Sequence, residues 1–175
     1  KGILVPHAGY IYSGPCAAVS YSRISPDFDG TFVVIGTSHK GHPNSVSNLD
    51  WETPIGTVPS DTEFADAVPL PKNNDIFREQ ENSLETQMPF IAYRFPKAKV
   101  CAILMGDQSL KGAAEIADAV ISAVSKTNRR IIVAASGDGS HYVPAKKAEN
   151  DDLTCLAALK NLDINAFYDA LYAIQ

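Results

Sequence analysis

Four short apolar runs, rich in β-branched residues, recur along the chain and predict strands. They occupy residues 3–5, 32–35, 100–104 and 131–134. The runs are continuous and do not alternate with polar residues, which is typical of strands that are buried on both faces of a sheet. The pattern therefore predicts a central sheet with cover on both sides.

Helical patterns separate and follow these runs. They span residues 13–24, 61–68, 83–95 with an interruption at Pro89, 109–126, 150–160 and 164–174. Strands that alternate with helices predict an α/β fold, in which a mostly parallel sheet is covered by helices on both faces. The segment 41–59 is rich in Asn, Ser, Pro and Gly, so we expect a long loop there that can include an edge hairpin.

Length, composition and charge narrow the class of protein. The chain has 175 residues, 45% of them hydrophobic, which is enough for one globular domain with a substantial core. A net charge of −5 argues against a nucleic-acid partner. No apolar run is long enough for a membrane span and no signal peptide opens the sequence, so we expect a cytoplasmic protein without a membrane partner.

The two ends of the chain lack the usual boundary signals. The first strand begins within a residue or two of Lys1, and the last helical pattern reaches Gln175 without a stop residue. We therefore expect residues 1–175 to be a single domain that is cut at both ends.

Histidines follow three of the four predicted strands. His7 comes after the first strand, His39 after the second and His141 after the fourth. The carboxyl ends of parallel strands share one edge of the sheet, so these side chains are expected to converge there with Asp138. We predict His7, His39 and Asp138 as metal ligands. Two histidines and one carboxylate suit Fe(II), and the same ligands accept Cu or Zn.

Ser38 and Glu81 are the predicted substrate-binding residues of this pocket. Glu81 has two interpretations, a place in the pocket or a favourable position at a helix N-terminus, and the sequence leaves both open. Ser38, with backbone N–H groups at the strand ends, is suited to hold a phosphate or a peptide carboxylate.

Three functional classes therefore remain open. In a metal-dependent oxidoreductase, His141 is the catalytic residue that moves a proton, because imidazole titrates near neutral pH. The second class is a non-catalytic binding module for a phosphorylated or anionic peptide. The third is a metal-assisted hydrolase that activates water. A small molecule or an anionic peptide is the expected ligand.

Five motifs together resemble the MEMO family, the middle component of the AmmeMemoRadiSam set of proteins. In chain order they are "PHAGYIYSG", "GTSHKGH", "TPIG", "ENSLETQMPF" and "SGDGSHY". The resemblance covers essentially the whole chain. It implies a fold related to the catalytic subunit of class III extradiol dioxygenases, and it implies AMMECR and radical SAM proteins as partners.

The resemblance also implies roles for individual residues. It suggests a pocket for iron or copper near His7 and His39, with Asp138 inside it and His141 at the position of the acid/base of the dioxygenases. In MEMO-like proteins that bind these metals, a cysteine from a later segment completes the site, and this sequence lacks that segment. Phosphotyrosine peptides bind at the same pocket in animal members. The usual "EHS" motif reads Glu-Asn-Ser here, so the amide of Asn82 replaces a pocket histidine and cannot act as a base.

Overall fold

Residues 1–174 are described by the structure, a computed structural model, and within them the chain forms seven strands. Gln175, the expected cut end of the last helix, lies outside the described residues. In chain order the strands are β1 (Gly2–Val5), β2 (Thr31–Thr37), β3 (Ser45–Ser47), β4 (Trp51–Thr53), β5 (Gly56–Val58), β6 (Lys99–Met105) and β7 (Ile131–Ser136).

Helices connect or follow these strands. They are α1 (Tyr10–Ser22), α2 (Thr62–Ala67), α3 (Asn82–Glu85), α4 (Met88–Arg94), α5 (Leu110–Thr127), α6 (Ala145–Lys160) and α7 (Ile164–Ala173), with a short 3₁₀ turn at Ile76–Arg78. None of the helices within residues 1–174 combines the length and the apolar composition that are needed to span a bilayer.

The described chain divides into two units. The first runs from Lys1 to Gly137 and contains the whole sheet, whereas the second begins at Asp138 and contains α6 and α7, which pack against each other. Asp163 caps α7, because its side chain accepts a hydrogen bond from the Ala166 N–H. The single domain expected from the sequence stays a prediction.

The central sheet has the strand order β1-β7-β2-β6-β3. Strands β1, β7, β2 and β6 are parallel, and β3 joins the edge in the antiparallel direction. Ser136 of β7 pairs with Val5 of β1 and with Gly36 of β2, so the carboxyl ends of these three strands are level. The loops that carry His7 and His39 therefore start at the same edge of the sheet.

Side chains that alternate along β2 fill two separate cores. Phe32 and Val34 pack in one cluster with Tyr21 of α1 and Ile91 of α4. Val33 packs in the other cluster with residues of α2 and α5. Helices therefore lie around a mostly parallel sheet, which confirms the predicted α/β fold.

The structure differs from the expected elements in three places. The segment 41–59 contains β3 as well as the β4–β5 hairpin, and this hairpin forms its own two-stranded sheet. Helix α1 begins one turn earlier than expected, since the Gly9 carbonyl accepts hydrogen bonds from the N–H groups of Tyr12 and Ser13. The break in the 83–95 pattern falls before Met88, so Pro89 lies in the first turn of α4, where proline is tolerated.

Candidate functional site

His7 and His39 face each other at the carboxyl edge of the sheet. Their ring centroids are 5.3 Å apart and the ring planes are perpendicular. His7 is buried, with 4% of its surface exposed, whereas the His39 side chain is 47% exposed. The structure therefore brings together two of the predicted metal ligands and makes the pair accessible from the side of His39.

Glu81 holds His39 through two contacts. Its Oε1 atom lies 2.7 Å from Nδ1 of His39, and its Oε2 atom accepts a hydrogen bond from the His39 backbone N–H at 2.9 Å. The same carboxylate is the N-cap of α3, where it accepts a hydrogen bond from the Ser83 N–H. Both interpretations of Glu81 thus apply, since one buried side chain caps the helix and contacts the histidine.

The carboxylate of Glu81 is ionised at neutral pH. Burial alone would raise the pKa of Glu81, but hydrogen bonds from the His39 ring, the His39 backbone and Ser83 outweigh this effect and lower the pKa. Because Nδ1 of His39 contacts the carboxylate, Nε2 is the nitrogen that this ring would offer to a ligand. A negative charge directly behind the ring favours a cation at that position.

A buried hydrogen-bonded network holds His7. Nδ1 of His7 lies 3.1 Å from the Ser136 Oγ, which also accepts a hydrogen bond from Nε2 of Gln87 at 3.0 Å. Gln87 is fully buried, donates to the Pro6 carbonyl at 2.9 Å, and accepts from the Tyr21 hydroxyl at 3.1 Å. The orientation of the His7 ring therefore depends on residues from α1, β7 and the segment before α4.

Gln87 and Ser136 are functional candidates that the sequence pattern does not reveal. Each carries a signal that becomes clear only with the structure. Gln87 lies three residues after Leu84 and four before Ile91, so it is a polar residue on the buried face of a helical pattern. Ser136 ends β7 and opens the "SGDGSHY" motif. A buried amide on an apolar face needs hydrogen-bond partners, and here these partners lead to His7.

Close packing of α3 on β2 fixes the position of Glu81. The Ser83 hydroxyl donates to the Thr37 carbonyl at 2.7 Å. A Cβ atom at Gly36 would lie 2.5 Å from the Ser83 Oγ and 2.8 Å from a methyl carbon of Leu84, so only glycine allows this approach. The start of α3 is thereby held against the strand that leads to His39.

Ser38 has a structural role in the loop after β2. Its hydroxyl oxygen accepts a hydrogen bond from the His42 N–H at 2.8 Å, and its own N–H donates to the Met105 carbonyl at 3.0 Å. These contacts shape the loop on which His39 lies. A contact of Ser38 with substrate stays a prediction.

The second unit carries the other two predicted residues, Asp138 and His141. Nε2 of His141 lies 3.5 Å from Oδ2 of Asp138. Their loop is attached to α6 by Asp152, whose Oδ1 accepts hydrogen bonds from the N–H and the hydroxyl of Ser140 at 2.9 and 2.8 Å. The metal-binding role of Asp138 and the catalytic role of His141 stay predictions.

Comparison with known proteins identifies the family of this chain. The family model described as "Memo-like protein" matches residues 1–175. The chain belongs to the Memo-like family. This confirms the resemblance that the five sequence motifs indicate.

Curated relatives of this Memo-like chain come from several archaea. A MEMO1 family protein of Archaeoglobus fulgidus is 37% identical over 97% of the chain and 66% of the relative. One from Methanosarcina acetivorans is 38% identical over 98% of the chain and 65% of the relative. One from Nitrosopumilus maritimus is 34% identical over 97% of the chain and 64% of the relative. The chain thus spans about two thirds of the length of the curated relatives that it matches.

The first unit of this Memo-like chain holds two neighbouring histidines, His7 and His39. Within residues 1–174, no group of three or more His, Cys, Asp or Glu side chains that could hold a metal ion is found. At the position where the family resemblance implies a pocket histidine, Asn82 donates from its side-chain amide to the His7 backbone carbonyl at 3.3 Å. That position therefore supports the backbone of one histidine and adds no imidazole.

Proposed function

We propose that this Memo-like protein binds a divalent transition metal through His7 and His39 and acts as a metal-dependent, dioxygenase-like oxidoreductase on a small molecule. We favour Fe(II) or Cu, and Zn is an acceptable substitute for the same ligands. The observation that carries the proposal is the pair of perpendicular rings 5.3 Å apart. Each ring is also held through its Nδ1 atom.

The spacing of the rings fits two ligands of one ion. Their centroids are 5.3 Å apart, so both imidazoles would lie near one bound ion, and imidazole nitrogen is a common ligand of these metals. Histidine ligands commonly donate their second ring N–H to a carboxylate or another oxygen, which fixes the tautomer and the orientation of the ring. Glu81 and Ser136 are such oxygen partners.

Different residues of the chain would have different roles at this metal site. Glu81 would hold the proton on Nδ1 of His39, and Ser136 would do the same for His7. Asp138 is proposed as the third ligand and His141 as the group that moves a proton to or from substrate. When bound, the metal would supply open coordination positions and, for iron or copper, a redox couple. AMMECR and radical SAM proteins remain proposed partners of the full-length protein.

The charge of His39 and its partner Glu81 favours this proposal over an anion-binding module. Glu81 is negative, so the His39–Glu81 pair carries no net charge if the imidazole is protonated and a charge of −1 if it is neutral. Neither protonation state attracts a phosphate or a carboxylate. The state with the neutral imidazole, which has a charge of −1, attracts a metal cation. A binding module for anionic peptides is therefore the weaker alternative.

Metal content measured by mass spectrometry tests the proposal. Chelator-treated protein is reconstituted without oxygen in equal concentrations of Fe(II), Cu and Zn, then desalted. We expect the wild type to retain metal and the His39→Ala variant to lose it. The matched control is His42→Ala, because His42 lies in the same loop but its ring contacts Glu79. Metal content in His39→Ala equal to that of the wild type would overturn the proposal.

Two further measurements separate the functional classes. Oxygen consumption by the metal-loaded protein on addition of a reductant is expected for an oxidoreductase and not for a hydrolase. Titration of the metal-free protein with phosphotyrosine tests the binding module. Tight phosphotyrosine binding together with unchanged metal content in His39→Ala would favour the module.

A further inference from the structure

The first unit also contains a cavity whose lining does not include His7 or His39. It is a groove of about 1000 Å³ between the start of α1, the β4–β5 hairpin and the start of α4. Nothing in the proposed metal chemistry uses it. Helix α3 connects the two places, because Glu81 at its start contacts His39 and Glu85 at its end lines the groove.

Aromatic side chains form part of the lining. They are Tyr10 at the start of α1, Trp51 of β4, and Phe77 of the 3₁₀ turn. Burial and the nearby charge of Glu85 raise the pKa of Tyr10, so this ring is a neutral phenol at physiological pH. The lining of the groove thus includes three aromatic rings, a residue type that attracts cations through its quadrupole.

The charged side chains of the lining are mostly negative. Asp50, Glu52 and Glu85 line the groove together with one cation, Arg78. Arg78 donates a hydrogen bond to Asp75, which further offsets its charge. The lining therefore has an excess of negative charge.

Two of these carboxylates are held in place by neutral donors. Asp50 accepts a hydrogen bond from the Ser60 N–H at 2.7 Å, and Glu85 accepts one from the Glu81 N–H at 3.2 Å. Backbone amides orient the carboxylates and carry no charge to neutralise them. The negative charge of the groove thus remains available to a ligand.

We propose that this groove binds an organic cation, namely an ammonium group attached to an aromatic or other apolar body. The carboxylates would bind the ammonium group, and Tyr10, Trp51 and Phe77 would contact the apolar body and add cation–π attraction. The proposal does not rest on metal binding at the histidine pair. It is tested on metal-free protein, so its failure and the failure of the metal proposal are distinguishable.

Trp51 provides the signal for the test, because it is the single tryptophan of the sequence. Chelator-treated protein is titrated with three ligands of similar shape: phenethylammonium, 2-phenylethanol and 3-phenylpropionate. Tryptophan fluorescence is followed, and calorimetry on the same samples measures the affinities. We expect the ammonium to bind at least about tenfold more tightly than the alcohol, and the carboxylate to bind most weakly.

Charge-removing variants identify the groove as the site. Glu85→Gln and Glu52→Gln should each weaken phenethylammonium binding several-fold and leave 2-phenylethanol binding unchanged. Asp66→Asn is the matched control, since Asp66 is an exposed acid of α2 that pairs with Lys72. Equal binding of the three ligands, a preference for the carboxylate, or no ammonium binding at millimolar concentration would overturn the proposal. So would wild-type ammonium affinity in a folded Glu52→Gln/Glu85→Gln double variant.

Discussion

Replacing Glu81 with glutamine removes a negative charge and changes little else in shape. The native carboxylate accepts three hydrogen bonds, from the His39 ring, the His39 N–H and the Ser83 N–H. The glutamine amide has one oxygen that can accept, and its NH₂ group can only donate. At least one N–H group near the histidine therefore loses its acceptor in Glu81→Gln.

The size of the effect follows from these contacts. Glu81 is 5% exposed, so the lost hydrogen bond is largely shielded from water. Losing one hydrogen bond to a buried charged acceptor costs about 2 kcal/mol in the free energy of unfolding. Loss of the partner that orients a histidine ligand reduces metal affinity by about 10- to 100-fold. Both effects should appear in Glu81→Gln.

The stability effect should depend on pH in a defined direction. The pKa of Glu81 in the folded protein is below its ordinary value of 4.5. A carboxyl group with a lowered folded-state pKa stabilises the fold above its ordinary pKa, and this contribution is lost as the pH falls through the folded-state value. The difference in unfolding free energy between wild type and Glu81→Gln should therefore have its largest value at pH 7 and decrease as the pH falls below 4.5.

Urea unfolding at several pH values and metal affinity by chelator competition measure the two effects. Glu79→Gln is the matched control, because the same chemical change is made at a neighbouring exposed acid that pairs with Lys40 and His42. If Glu81→Gln binds metal as tightly as the wild type, the carboxylate does not orient His39 for a metal. If the stability difference is undiminished at pH 3, the charge of Glu81 is not its source.

Three other substitutions test separate parts of the structure. Gln87→Leu leaves the partners of a buried amide unsatisfied, so urea unfolding should show that the free energy of unfolding falls by about 2 kcal/mol or more. Metal affinity should fall as well, because the Ser136 contact with His7 is no longer supported. Unchanged values in both assays would contradict this role of Gln87. Gly36→Ala forces a Cβ atom into contact with Ser83, so urea unfolding should show that the free energy of unfolding falls by about 1–3 kcal/mol. If the variant is as stable as the wild type, α3 can shift to accommodate the added atom. Asp163→Ala removes the cap of α7 at a cost of about 1 kcal/mol, so amide hydrogen exchange in the first turn should accelerate about fivefold, whereas unchanged exchange would mean that the cap contributes nothing.

The central sheet could be predicted from the sequence because each buried strand has a continuous apolar run. The runs at residues 32–35 and 100–104 lie inside β2 and β6, and only the ends differ. Strand β3 has no such signal. It contains a single apolar residue, Val46, between two serines, and it is held by pairing with β6, a contact distant in sequence.

The candidate site could be predicted in part for a similar reason. A histidine just after a strand end has a position fixed by the topology of a parallel sheet, so His7 and His39 are brought together as expected. The partners of these histidines come from elsewhere in the chain. Gln87 reaches Ser136 across 49 positions, and a contact of this kind depends on packing that no local pattern encodes.

The insertion of β7 between β1 and β2 has a consequence for biosynthesis. The two strands that precede the histidines, β1 and β2, are made before β7, yet they do not pair with each other in the sheet, and β7, which lies between them, ends at Ser136. A nascent chain that has emerged only as far as α5 therefore has both imidazoles, but it lacks the strand that lies between β1 and β2 and the Ser136 contact of His7. The histidine pair can therefore take its final arrangement only after β7 has been synthesised and has paired with β1 and β2.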